Sequence, residues 1–398
     1  MRGRKARFLF TLLLTLLVFG FGTRIVNADE WEKEVGEESV FETKEKSTEG
    51  IGAELLEEFD FKEVEKSVSA LFPKEKISFE EVVSSFISGN SGEILETVAG
   101  YLKDEIAYEF LYSKKILIYV ILISVLAAVF SNFAGAFQSR QISEMSFYVI
   151  YMLLITLCLM SFQTAVHGIG EKVESLTAFM RVLCPGYFLA VAFASGSVTS
   201  LFFYNMILFL IYIVELVIVR FLFPVIHIYI MVRVLGNLTE EDLFSEFADL
   251  LKKIVTWILR TMAACVVGVN VVQGLLAPAV DLVKRSALTR TAEAIPWVGN
   301  VMGGAAEVTL GAIVLIKNGI GMGGAFIAVL ICAVPLLQML LCALLYKMAA
   351  AAVQPVSDKR ITACIRGMSE GYEMIVSVIF TVGFLFLLTI AVVAGATT

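Results

Sequence analysis

The sequence predicts an all-α, polytopic membrane protein with about eight transmembrane helices. Of its 398 residues, 58% are hydrophobic and the mean hydropathy is +0.83, whereas soluble domains are about 45–50% apolar. The first long charge-free segment, 116–137, can span a bilayer core of about 30 Å. Prolines also recur at one spacing, since Pro185 and Pro224 stand 39 residues apart, as do Pro296 and Pro335. This repetition predicts a duplicated membrane unit.

Residues 1–28 have the pattern of a secretory signal peptide. A basic start is followed by the apolar run 8–21 and by Val26-Asn27-Ala28, which fits a small-x-small cleavage site. The alternative is an uncleaved first membrane helix. Both interpretations place the next region outside the cytoplasm.

Residues 29–114 form an acidic extracytoplasmic region with 23 acidic and 9 basic residues. The part up to residue 50 has little apolar periodicity, so we expect it to be disordered. Three short amphipathic helices are predicted after it. The first ends at Pro73, the second begins with the capping pair Ser78 and Glu81, and the third covers 94–106.

The membrane body is predicted to start with a transmembrane hairpin, 115–167, whose spans are 116–137 and 145–166. Two membrane repeats, 168–276 and 277–398, follow it. Each repeat has a charged segment ending at a proline, a stretch of small residues, and then three apolar helices. The small-residue stretches are interpreted as re-entrant half-helices. The apolar helices are predicted at 201–219, 221–235, 254–276, 308–329, 330–346 and 374–394.

Loop charges predict that the two repeats are inverted. The connector 236–253 carries five acidic residues and is expected outside, whereas its counterpart contains Lys359, Arg360 and Arg366 and is expected in the cytoplasm. This arrangement also places Lys284, Arg285 and Arg290 inside and the C-terminus outside. Equivalent loops on opposite faces are the pattern of inverted-repeat transporters.

Five polar residues lie within the predicted apolar segments and form a candidate intramembrane path. A charge at the bilayer centre costs several kcal/mol, so such a group normally faces a neighbour or a water-filled path. Burial as a structural pair, with Lys317 facing Glu215, is the alternative. The candidates are Glu215, Arg260, Asn270, Lys317 and Asn318.

Catalytic and cofactor sites are not expected. The six cysteines lie in or beside apolar segments, and neither His167 nor His227 has metal-ligand spacing around it. No hydrolase, metalloprotease or nucleotide-binding motif is present in the sequence. We therefore predict no enzymatic activity, no cofactor and no bound metal.

The Gly319/Gly323 spacing favours close helix packing within the bundle and leaves self-association open.

The region from Arg290 to Cys364 resembles stage III sporulation protein AE of endospore-forming bacteria. It contains IPWVGNVMGGAAEVTLGAIVLIKNGIGMGG and CAVPLLQMLLCALLYKMAAAAVQPVSD, and the leader, acidic region and order of spans also agree. The resemblance implies a multi-pass component of the sporulation channel, in the mother-cell membrane around the forespore. The implied partners are the other stage III A-operon proteins and, through them, stage II sporulation protein Q. No nucleic-acid partner and no catalytic residue are implied.

The leading hypothesis is a non-enzymatic component of a channel or export apparatus that supports late forespore gene expression. Two alternatives remain. A stand-alone secondary transporter of a small solute would use the same inverted repeats and polar groups, and a purely structural scaffold would not need those groups.

Overall fold

The computed structural model describes residues 61–72, 77–89, 92–136, 140–195, 199–238, 244–292 and 303–395. The predicted signal peptide, the segment predicted to be disordered and Pro296 lie outside the described residues. Within these ranges every regular element is a helix, which confirms the all-α class.

Nine α-helices and one π-helical turn make up the described chain, and several helices are unusually long. α4 has 56 residues, or about 84 Å at 1.5 Å per residue, against about 30 Å of bilayer core. Such helices extend well beyond one bilayer thickness. Their bounds are α1 Lys62–Leu71, α2 Phe79–Ile87, α3 Gly92–Ala136, α4 Arg140–Ser195, α5 Thr199–Val217, the π turn Ile218–Leu222, α6 Phe223–Gly236, α7 Ser245–Ala292, α8 Gly303–Val353 and α9 Lys359–Gly395.

Local hydrogen bonds fix the start of α2. The Ser78 hydroxyl accepts a hydrogen bond from the Glu81 backbone N–H at 3.4 Å, so the predicted N-cap is confirmed. The Glu65 carboxylate of α1 accepts a second bond, at 2.7 Å, from the Phe79 N–H. The two short helices of the acidic region are therefore tied together at the N-terminus of α2.

Five described helices are long and apolar enough to cross a membrane, which supports a multi-pass membrane protein. They cover Phe147–Val191, Asn205–Gly236, Ser245–Val272, Ile313–Val353 and Lys359–Ala391. A shorter apolar helical segment, Leu117–Leu126, belongs to α3. The predicted hairpin thus corresponds to the second half of α3 and the first half of α4.

The prediction of eight spans fails because two predicted helix pairs are single continuous helices. The segments 201–219 and 221–235 join through the π turn, where the Phe223 N–H donates to the Ile218 carbonyl. Pro224 has no N–H, and the wider turn accommodates it. Similarly, 308–329 and 330–346 both lie in α8, which continues through Pro335.

The first predicted re-entrant segment is also part of a long helix. α4 continues through Pro185 to Ser195, and Ala190 is buried near its end. Because a buried helix satisfies its backbone within the bundle, a proline need not terminate it. In the second repeat, Gly303 to Ala306 of the equivalent stretch form the start of α8, and Gly299 lies outside the described residues.

The predicted inverted repeats are not observed, because the two connectors lie at the same end of the bundle. The Lys252 ammonium of α7 lies 2.8 Å from the Glu370 carboxylate of α9, and Tyr229 of α6 donates to the same carboxylate at 2.8 Å. Lys347 of α8 pairs with Glu373 of α9 at 3.0 Å. This end, where α6 and α8 finish and α7 and α9 begin, is here called the lower end. Lys284 lies near the end of α7. The loop after α7 is therefore at the opposite, upper end, and not on the side of Lys359 and Arg360 as predicted.

Merging 308–329 with 330–346 removes one crossing between the two connectors, and this change of parity places them at the same end. In addition, the acidic residues that place the first connector outside contribute little to membrane orientation.

Helix α8 lies at the centre of the bundle and packs against α2, α3, α4 and α9. Its glycines permit the close approach of α2: a Cβ built on Gly319 would lie 2.6 Å from Ile87 Cγ1, and one on Gly323 would lie 2.8 Å from Val83 Cγ2. These distances confirm that the Gly319/Gly323 spacing serves packing within the bundle.

Candidate functional site

The middle of α4 carries an unusual concentration of charge for a membrane helix. Residues 145–166 are charge-free, and the next turns contain charged or ionisable side chains. We call these five residues the α4 polar segment: His167, Glu171, Lys172, Glu174 and Arg181. The sequence predicts a charged segment leading into a repeat here, whereas the structure places these residues inside one helix.

Helices α8 and α9, which pack beside the polar segment, are apolar at the same height. Phe162 packs edge-on against Tyr372 of α9 with ring centroids 5.2 Å apart, and Leu183 packs against Gly324 of α8. Between these contacts, Val173 shares a small apolar cavity with Ile331 and Ile379. In this region α8 has no charged residue over 319–346, and α9 has none beyond Glu373.

The charge-free runs of α4 and α9 are therefore displaced from each other along the bundle. Since Phe162 is level with Tyr372, the α9 run starting at residue 374 begins about 20 residues above the start of the α4 run at 145. That displacement is about 30 Å at 1.5 Å per residue. At the lower end, accordingly, the Arg360 guanidinium lies 3.8 Å from the centre of the Phe147 ring.

A single flat bilayer about 30 Å thick cannot cover both runs. If it covers the apolar parts of α8 and α9, the α4 polar segment lies at bilayer depth. Charged side chains at that depth need polar neighbours or water.

The polar segment borders an open groove of about 380 Å³ between α4 and the π turn. His167, Glu171 and Glu174 line one side, and His227, Phe223 and Pro224 line the other. The His167 Nε2 lies 3.5 Å from a Glu171 carboxylate oxygen, and both side chains are exposed. Both histidines of the chain, His167 and His227, therefore line the same groove, which their separation in the sequence does not indicate.

Toward the upper end, an ion pair links the polar segment to α5. The Arg181 guanidinium donates to the Glu215 carboxylate, and the carboxylate is partly buried. Glu215, a predicted candidate, therefore lies beside the α4 polar segment. We call the α4 polar segment together with Glu215 the polar face.

The other predicted candidates lie in different parts of the bundle. The Asn270 side chain is buried between α7 and α9, where its amide donates to the Val266 carbonyl at 2.9 Å and to Thr389 at 3.4 Å. Arg260 is exposed on α7. Lys317 is fully buried and Asn318 half-buried on α8, one turn or less from the α2 contact at Gly319. The structure does not bring the five together into one path.

Sequence reasoning missed the polar residues on α4, although a signal was available. His167, Glu171, Glu174 and Arg181 follow the spacing of one helical face and come directly after a charge-free run. The interpretation of Pro185 as a helix break obscured this pattern.

The described residues do not include a group of three or more His, Cys, Asp or Glu side chains that could hold a metal ion. What the polar face provides is hydrogen-bond acceptors and charges along an open groove.

Comparison with known proteins identifies related chains. The family model described as Stage III sporulation protein AE matches residues 77–397. The chain is also 28% identical over 396 residues to Stage III sporulation protein AE of Bacillus subtilis strain 168, a match that covers 98% of each chain. No solved structure matches this chain.

Proposed function

Because the chain belongs to the stage III sporulation protein AE family, we propose that it acts in sporulation as a non-enzymatic membrane component of the apparatus that connects the mother cell with the forespore. In this proposal it supports late forespore gene expression and contributes one wall of a small-molecule conduit. Membership of this family supports the role in sporulation. The α4 polar segment, lying beside the charge-free parts of α8 and α9, supports the conduit.

The polar face is open along the bundle, since the His167 and Glu171 side chains are largely exposed. A conduit through the membrane needs this face to be closed by other protein. We propose that other stage III A-operon proteins or further copies of this chain close it, and that stage II sporulation protein Q is reached through those proteins. The protein would lie in the mother-cell membrane around the forespore.

The proposed orientation places the lower end in the cytoplasm and α1 and α2 outside. Basic residues are concentrated at the lower end, and it is the number of Lys and Arg residues that correlates with cytoplasmic loops. They are Arg233, Lys252, Lys253, Lys347, Lys359, Arg360 and Arg366.

The proposal is tested by neutralising the polar face in sporulating cells. In a strain whose own copy is replaced, we expect the double variant Glu171→Gln/Glu174→Gln to reduce heat-resistant spores and a late forespore reporter toward the level of a null strain. The amides keep the side-chain size but remove the charges. Glu246→Gln, an exposed change at the start of α7, is the matched control and should sporulate normally. Immunoblots establish that both proteins accumulate equally.

Normal sporulation of the double variant would support the scaffold alternative instead. Purification and reconstitution into vesicles distinguish the transporter alternative. A secondary transporter moves its solute when it is alone in the membrane, whereas a component of a larger conduit does not.

A further inference from the structure

A second groove runs along the other side of α4, between α4 and α8, and Tyr108 of α3 and Tyr372 of α9 also line it. Its volume is about 480 Å³, within the range of small-molecule sites. Its lining extends along α4 from Leu157 to Lys172, a distance of about 22 Å at 1.5 Å per residue. The groove is therefore long and narrow.

The walls and the upper end of this groove differ in chemistry. Leu157, Met160 and Met339 provide apolar surface along its length, and the open side is bordered by Met160 and Tyr108, which are 64% and 66% exposed. Lys172 supplies a cation at the upper end. No Asp or Glu is among the residues that line it.

Hydroxyl groups add a polar edge to the inner wall. Tyr372, which is 1% exposed, lies within 3.4 Å of the Ser161 hydroxyl, and the Tyr346 hydroxyl donates to the same serine at 3.5 Å. Ser161 and Tyr372 both line the groove. The inner wall thus contains a connected hydroxyl cluster at the level of Ser161, about 16 Å along α4 from Lys172.

From this geometry we infer that the groove binds a phospholipid with an anionic headgroup. The acyl chain lies along α4 between Leu157 and Ile169, and the phosphate lies at Lys172. The length matches an extended acyl chain, the apolar walls match its methylene groups, and the single cation at one end selects negative headgroups. The groove shares no lining residue with the His167 groove. Lys172 belongs to the α4 polar segment but lines only the second of these two grooves, so lipid binding can be tested apart from the conduit.

Two substitutions separate the roles of the walls and the cation. Gly168 lines the groove, and a Cβ built on it would meet nothing within 4 Å, so Gly168→Leu places a side chain in the open space. Gly268→Leu on α7, where a Cβ also meets nothing, is the matched control. Lys172→Gln removes the charge, and Lys253→Gln removes an exposed charge elsewhere.

The test uses the delipidated full chain in detergent, with bound lipid counted by native mass spectrometry. Phosphatidylglycerol, phosphatidylcholine and inorganic phosphate are the three probes. The unmodified protein should retain phosphatidylglycerol with about fivefold preference over phosphatidylcholine, the scale of attraction between one lysine and an anionic lipid. Lys172→Gln should lose this preference, Gly168→Leu should lose both lipids, and the two controls should behave as the unmodified protein does.

The inference is overturned if Gly168→Leu retains as much lipid as Gly268→Leu, or if Lys172→Gln keeps the headgroup preference. Inorganic phosphate that displaces phosphatidylglycerol would also overturn it and identify a free phosphate site at Lys172. Lys172→Gln changes a half-exposed side chain, so it keeps the test decisive even if the glycine variant fails to fold.

Discussion

At the scale of single residues, Glu370 of α9 connects three helices at the lower end. No pattern in the sequence predicts this role. Its carboxylate accepts hydrogen bonds from Tyr229 of α6 and Lys252 of α7, each at 2.8 Å. Three residues later, Glu373 pairs with Lys347 at 3.0 Å, and both of those side chains are more exposed. The two glutamates are alike in sequence and differ in their surroundings.

We predict that Glu370→Gln destabilises the protein more than Glu373→Gln. A partly buried carboxylate with two donors loses a charge-assisted bond, at about 1–3 kcal/mol, whereas an exposed ion pair contributes about 0–1 kcal/mol. Thermal unfolding in one detergent, followed by loss of monodisperse protein, compares the two variants. Equal shifts in the unfolding midpoint would show that Glu370 does not link α6 and α7 to α9.

At the scale of elements, the contact of α2 with α8 connects the acidic region to the membrane bundle. The apolar side of α2, with Val82 and Val83 buried, meets α8 where glycines leave room. The sequence predicted both the capped helix and the glycine spacing, but it did not indicate that one would dock on the other.

A larger side chain at this contact should detach α2 from α8. Because a Cβ on Gly323 would already lie 2.8 Å from Val83, we expect Gly323→Leu to displace α2 and to increase proteolysis between α1 and α3. Limited digestion of the purified protein, with fragments assigned by mass, measures the change. Gly100→Leu on α3 is the control, because its Cβ would meet nothing within 4 Å. Unchanged digestion of Gly323→Leu would contradict the docking of α2 at this position.

At the scale of the whole molecule, the lower end gathers the connectors between α6 and α7 and between α8 and α9. The helices alternate in direction, and each merged pair crosses once. Any bilayer that the bundle spans therefore has both connectors on one side.

Single cysteines at Glu246 and Gln354, both exposed, should consequently give the same labelling result. In a background that lacks the native six, an impermeant maleimide added to intact cells should label neither site, and both should react after permeabilisation. Glu63→Cys, exposed on α1, should be labelled in intact cells. Labelling of only one of the two connectors would restore the inverted arrangement and contradict the helix order described above.

The sequence by itself determined the helical membrane class, the N-cap of α2 and the family resemblance. These depend on composition, on contacts within a few residues, and on the order of long apolar segments, all of which can be read along the chain. The comparisons confirmed the family over residues 77–397.

Only the tertiary structure decided where helices continue and which polar residues share a face. Pro185, Pro224 and Pro335 are helix-breaking signals locally, but packing in a bundle stabilises helices that pass through them. The α4 polar segment became significant only when α8 and α9 placed charge-free helix beside it. Relative height along a bundle is set by contacts between distant residues, such as Phe162 with Tyr372, and one-dimensional hydropathy does not contain that information.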